Sequence, residues 1–182
     1  MNIAICPGIH SPQLTASFLR GLEQSKPDLW VNAVVFPTQN YPAYSTKNIE
    51  EFLKTHFGLP KTASPIVLIS FSAGVVGAFG AAQTWQNEGG VIQAFIALDG
   101  WGMPLWGNFP IYRLSHDYFT HWSSALLGGG EESFYADPGV EHLELWRSPQ
   151  KIQGWCLSAP GCRSRCTAAE FLCQLLLLNI QS

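Results

Sequence analysis

Charged side chains are scarce in this chain. Asp, Glu, Lys and Arg make up 13% of its 182 residues, about half the usual share. Hydrophobic residues make up 47%, a balance that argues against disorder and for a core buried on both sides of a sheet. Ten basic against 13 acidic residues leave a net charge of −3, and no basic stripe gathers on any segment. Nucleic acid is therefore not an expected partner. Long hydrophobic runs are missing too. The apolar stretch near the C-terminus is too short to span a bilayer, and residues 1–6 lack the flank and core of a secretory signal. The five cysteines, odd in number and irregular in spacing, do not suggest an extracellular disulfide framework. A single cytoplasmic domain is the expectation.

What the chain does contain is an alternation of apolar runs and amphipathic segments. Residues 2–6, 31–36, 66–71, 92–98, 111–114 and 133–136 read as strands, several without polar alternation, as in a parallel sheet buried on both faces. Ser11-Pro12 opens a helix with Leu14, Phe18 and Leu22 on one face, serine as N-cap and proline at the first turn. Ser45 or Thr46 opens a second, with Ile49, Phe52, Leu53 and Phe57 inward and a stop at Gly58 and Pro60. Residues 118–127 read as helical, and Pro149 as the start of a further helix. The pattern predicts a three-layer α/β/α sandwich around a mostly parallel sheet.

The most informative stretch is 66–80, where the run Ile66–Phe71 meets Ser70-Phe71-Ser72-Ala73-Gly74 and then a Gly/Ala/Val-rich segment. A chain reversing this sharply strains its middle residue, and small residues two before and two after relieve the crowding. The arrangement resembles the nucleophile elbow of the α/β-hydrolase superfamily, with Ser70 in place of the usual first glycine and Ser72 at the apex. The resemblance extends over residues 2 to about 157, with a minimal cap. It implies a serine hydrolase without cofactor or metal, cleaving an ester or thioester of a small or apolar acyl group through an acyl-enzyme on Ser72. Pro7-Gly8-Ile9 falls where that family places its oxyanion loop, so the resemblance assigns the backbone N–H groups of Ile9 and Ala73 to the oxyanion site.

A serine hydroxyl needs a base, and the base an orienting carboxylate. In chain order Ser, acid, His, the candidates are Ser72, Asp117 after strand 111–114, and His142 after strand 133–136. Asp99, which also ends a strand, is the alternative acid, and Asp137 a third, too near His142 in sequence. Among the other histidines, His116 adjoins Asp117 as a hydrogen-bond partner behind the acid. His10 lies on the oxyanion side, while His56 and His121 fall on helices. The Gly/Pro-broken stretch 101–110 reads either as a short lid or as a loop burying its tryptophans on the sheet edge.

From Cys156 onward the family pattern stops. Cys156, Cys162, Cys166 and Cys173 lack paired Cys-x-x-Cys spacing, so free thiols are favoured over a metal site. Thr167-Ala168-Ala169-Glu170 is a capping box opening a last helix that is apolar nearly all round, for docking onto the domain or onto a second copy as a homodimer. Beside the hydrolase stands a second reading, a binding or scaffolding protein that keeps the fold without turnover.

Overall fold

Strands without polar alternation need covering layers on both faces, and the computed structural model arranges them so. It describes residues 2–100, 102–128, 132–159 and 161–180. In chain order these form β1 (Asn2–Cys6), α1 (Pro12–Ser25), β2 (Ala33–Val35), α2 (Thr46–Phe57), β3 (Ile66–Phe71), α3 (Ala73–Asn87), β4 (Ile92–Leu98), β5 (Ile111–Ser115), α4 (Tyr118–Ala125), β6 (Ser133–Ala136), α5 (His142–Arg147), β7 (Gln153–Ala159), β8 (Cys162–Thr167) and α6 (Ala168–Ile180), with a 3-10 turn at Pro27–Leu29.

All eight strands share one sheet in the order β2-β1-β3-β4-β5-β6-β7-β8. The six from β2 to β6 run parallel, and β7 and β8 join antiparallel. Alternate strand residues feed two cores. On one face Ile5, Val67 and Ile69 meet Phe18 and Leu22 of α1, Leu145 and Trp146 of α5 and Phe171 and Leu172 of α6. On the other, Ala4, Leu68 and Phe95 meet Ile49 and Leu53 of α2 and Val75 and Ala82 of α3.

The chain leaves β1 toward β2 on one side and returns to β3 on the other. That reversal opens a crevice at the C-terminal ends of β1 and β3, the place where open α/β sheets bind ligands. Register puts Cys6 beside Ser70 there, so Pro7-Gly8 and Ser72 emerge side by side.

Several expectations change in the C-terminal part. Within the segment expected to be an off-pattern extension, residues 156–182, β7 and β8 continue the sheet, and α6 packs Phe171, Leu172, Leu175 and Leu176 into the domain's own core. The last helix thus docks onto its own domain, opened by the expected capping box, in which the Thr167 N–H donates to Glu170 Oε2 (2.7 Å) and the Glu170 N–H to Thr167 Oγ1 (3.1 Å). Cys156 and Cys166 are joined in a disulfide across β7 and β8 rather than free, whereas Cys6, Cys162 and Cys173 are free. No helix begins at Pro149; residues 149–151 form a turn behind α5, because Pro149 lends its carbonyl to the Ala169 N–H at the start of α6. The strand expected over 31–36 shortens to Ala33–Val35 at the sheet edge.

Within 101–110, Leu105 and Phe109 are buried while Trp106 is exposed; Trp101 lies outside the described residues. Met103 is held by Arg113, whose buried guanidinium donates to the carbonyls of Gly128, Met103 and Leu127. Burial lowers that guanidinium's pKa to about 10. Among the described residues no helix is long and apolar enough to cross a membrane.

Candidate active site

At the end of β3 the chain turns into α3 through one residue. Ser72 takes φ 52 and ψ −125, a left-handed backbone that a non-glycine residue adopts only under constraint. The constraint is the packing around it. A Cβ on Gly74 would strike the carbonyls of Pro7 and Cys6, and one on Gly8 would come within 3.0 Å of the Phe71 carbonyl oxygen and of Ser72 Cβ. Two glycines therefore let α3 and the loop after β1 close upon the turn from both sides. Ser70 serves in the small position before the apex because it is buried and its hydroxyl donates to the Ile96 carbonyl on β4 (3.2 Å).

The Ser72 hydroxyl lies 3.1 Å from His142 Nε2. His142 Nδ1 in turn lies 2.8 Å from Asp99 Oδ2. With the imidazole proton on Nδ1, the serine hydroxyl donates to Nε2 and Nδ1–H donates to the carboxylate. The structure thus brings Ser72 and His142 together as the sequence suggested, but it places Asp99, the alternative acid, on the histidine instead of Asp117.

The reason lies in the backbone. Asp99 follows β4 with φ 50, and its side chain is 1% exposed, so the carboxylate turns inward beneath His142. Asp117 is spent elsewhere. It is the N-cap of α4, and Oδ1 accepts from the Thr120 N–H at 2.7 Å. Asp137 accepts from Trp155 Nε1 and Arg165 on the outer strands.

His116 sits between the two rival acids. Its backbone N–H donates to Asp99 Oδ1 (2.9 Å) and its Nδ1 to Asp99 Oδ2 (3.0 Å), while Nε2 lies 3.6 Å from Asp117 Oδ2. The hydrogen bond to Asp99 raises the His116 pKa; burial opposes this, and the charges of Asp99, Asp117 and Glu141 add to the rise. Burial pushes the Asp117 carboxyl up, but hydrogen bonds from Thr120 and the nearby His116 more than reverse this, and its pKa falls below the ordinary value.

His142 is the first residue of α5, and its loop leans on the same segment: the Val140 N–H donates to the His116 carbonyl (2.9 Å). One turn along α5, Trp146 returns to the same face. Phe71 stacks on both rings, 4.7 Å from His142 and 4.9 Å from Trp146, and Trp146 stacks on Phe18 at 3.6 Å. Sequence reasoning gave Phe71 and Trp146 no role; the four-residue spacing of His142 and Trp146 was the available signal.

The loop after β1 runs over the elbow, and Ile9 is 73% exposed. The Ala73 N–H belongs to the first turn of α3, where helical donors have no intrahelical acceptor. Among the described residues neither that N–H nor the one of Ile9 is engaged by a backbone hydrogen bond. His10 keeps its Nδ1 on the Ser11 carbonyl (3.0 Å), and its pKa is lowered by burial, against that bond, with His142 nearby adding to the fall. His56 caps its own turn through the Phe52 carbonyl, and His121 stacks on Tyr135.

A cavity of about 370 Å³ opens beside Ser72, lined also by Ala73, Val76, Asp99, Met103, His116, Thr120 and His142. A larger one of about 900 Å³ lies between α3 and residues 105–109 and includes none of the Ser72, His142 or Asp99 side chains, so size alone does not mark the site. For a metal ion, Asp99, His116 and His142 offer ligand atoms within 4.8 Å of one another. Both Nδ1 atoms, however, are already directed at the Asp99 carboxylate, which makes the cluster a closed hydrogen-bond set. The chain matches no protein-family model and no curated protein.

Proposed function

We propose that the chain is a serine hydrolase of the α/β-hydrolase type, cleaving an ester or thioester of a small or apolar acyl group. The observation that carries this is the unbroken run from Ser72 Oγ through His142 to the buried Asp99, anchored on a left-handed serine. In this reading His142 Nε2 takes the Ser72 proton as Oγ attacks the substrate carbonyl. The leaving alcohol or thiol then receives that proton. Water, deprotonated by the same nitrogen, releases the acid and restores the serine.

Asp99 holds the imidazole in the tautomer that leaves Nε2 free and stabilises the imidazolium once formed. The N–H groups of Ile9 and Ala73 suit the developing oxyanion, assisted by the N-terminus of α3. Val76 and Met103 give the adjoining cavity an apolar wall, which favours an acyl chain over a charged substituent.

The test is labelling by a fluorophosphonate probe, followed by a panel of p-nitrophenyl and thioester substrates of graded chain length. Rapid labelling lost in Ser72→Ala is the expected result. Folded native protein that does not label refutes the hydrolase and favours a binding protein on the same fold.

A further inference from the structure

We propose that His116 is a positioning residue for His142, extending the chain to Ser72–His142–Asp99–His116 and sharing the carboxylate on which His142 depends. Its use in catalysis rests on the hydrolase reading; the coupling between the two histidines does not.

A carboxylate this deeply buried must have both oxygens satisfied. Among the described residues His116 supplies two of the three donors on Asp99, its backbone N–H on Oδ1 and its Nδ1–H on Oδ2, and His142 supplies the third, also on Oδ2. Two imidazoles thus draw on a single oxygen. Each bond reduces the charge left for the other, so His116 tempers the pull of Asp99 on His142 while fixing the direction of the carboxylate.

The charged groups facing His116 come from three neighbouring elements. Asp99 stands at the end of β4, Asp117 at the head of α4, Glu141 just before α5 and His142 as its first residue. The two imidazole rings lie 5.8 Å apart and nearly perpendicular. Asp117 faces the outer nitrogen of His116, and a Cβ on Gly139 would strike Asp117 Cβ, so the His142 loop packs on the same dipeptide. A residue that served only to fill space here would not need to place two donors on one buried carboxylate.

The experiment follows the ring-proton titration of His142 by NMR, assigned against His142→Gln, in native protein, His116→Ala and His116→Asn. The asparagine amide reproduces the Nδ1–H donor without the ring. Removing the ring donor leaves Asp99 Oδ2 to His142 alone, so the His142 midpoint rises by roughly half to one pH unit in His116→Ala and by less in His116→Asn, which keeps the donor but lacks the ring's charge. Fluorophosphonate labelling slows about three- to tenfold in His116→Ala and recovers in His116→Asn. An unmoved His142 midpoint in His116→Ala overturns the proposal, as does an equal shift in both variants. A midpoint shifted in His116→Ala, with native protein that never labels, upholds the coupling and refutes the hydrolase.

Discussion

The imidazole of His142 lies against the ring of Phe71, with centroids 4.7 Å apart and planes 20° from parallel. Phe71 is therefore more than the residue between two serines. Its far contact, Trp146, is stacked at 17° and rests on Phe18, so the histidine stands at the end of an aromatic column rooted in the core. An imidazolium formed over that face gains roughly 1 kcal/mol from the ring quadrupole. Phe71→Leu keeps apolar bulk and removes the plane. Labelling of Ser72 is expected to slow about five- to tenfold, with a stability loss of about 1 kcal/mol. Urea unfolding beside the labelling rate checks this: a stability loss with an unchanged rate would leave the column a packing feature only.

Asp99 and Asp117 make opposite predictions. Asp99→Asn removes the charge under His142 and permits the wrong tautomer, for which a fall of about 10⁴ in rate is typical. Asp117→Asn keeps an equally good helix cap, and labelling is expected to stay within about tenfold of native. Measuring both variants at one pH decides between the two acids. A collapse in Asp117→Asn with little change in Asp99→Asn would overturn the geometric assignment.

That choice shows where the sequence stops being informative. Both aspartates follow neighbouring strands, β4 and β5, Asp99 before a loop and Asp117 before a helix, so pattern alone ranks them only by chain order. What separates them is a positive φ at Asp99 and an N-cap at Asp117, neither of which composition or spacing reveals. The elbow was legible because its chemistry is local: a strand, an apex and small flanks within nine residues. His142 was legible because its loop follows a recognisable strand. The edge strand Cys162–Thr167 was not, because its first four residues are polar or exposed and an edge open to solvent need not alternate. The partner of Cys156 was hidden for a related reason, since the hairpin sets Cys166 opposite Gly154 and so diagonally across from Cys156, a placement that spacing alone does not reveal.

Close approach at Gly74 yields a third prediction. A methyl group there meets the backbone carbonyls of Pro7 and Cys6, which cannot rotate away as a side chain would. Either α3 or the loop carrying Ile9 must move. Gly74→Ala is expected to cost roughly 1–3 kcal/mol and to slow labelling by more than about tenfold as the backbone donors separate. Gly80→Ala, which meets only the Thr46 side chain, is the control: its labelling per folded molecule should match native. Equal labelling by the two variants would show that the approach at Gly74 does not shape the site.

The paired groups at the far end of the site also predict how stability follows pH. The His116 pKa is raised in the folded chain above its ordinary 6.5, chiefly through the Asp99 hydrogen bond. A raised basic group contributes stability that is full below the unfolded pKa and is lost as pH rises through the folded one. Native protein should therefore exceed His116→Asn in stability most clearly near about pH 5.5, and the difference should shrink by pH 8.5 or so. With the side chain 22% exposed, the pH-dependent part is expected to be under about 1 kcal/mol. Asp117 has the opposite sign. Its lowered pKa gives stability that is full above about 3.8 and fades as pH falls through the folded value, so the gap between native and Asp117→Ala should close in acid. Urea midpoints across this range measure both. A His116→Asn gap that widens with rising pH would mean that the folded chain holds the imidazole neutral, against the bond to Asp99.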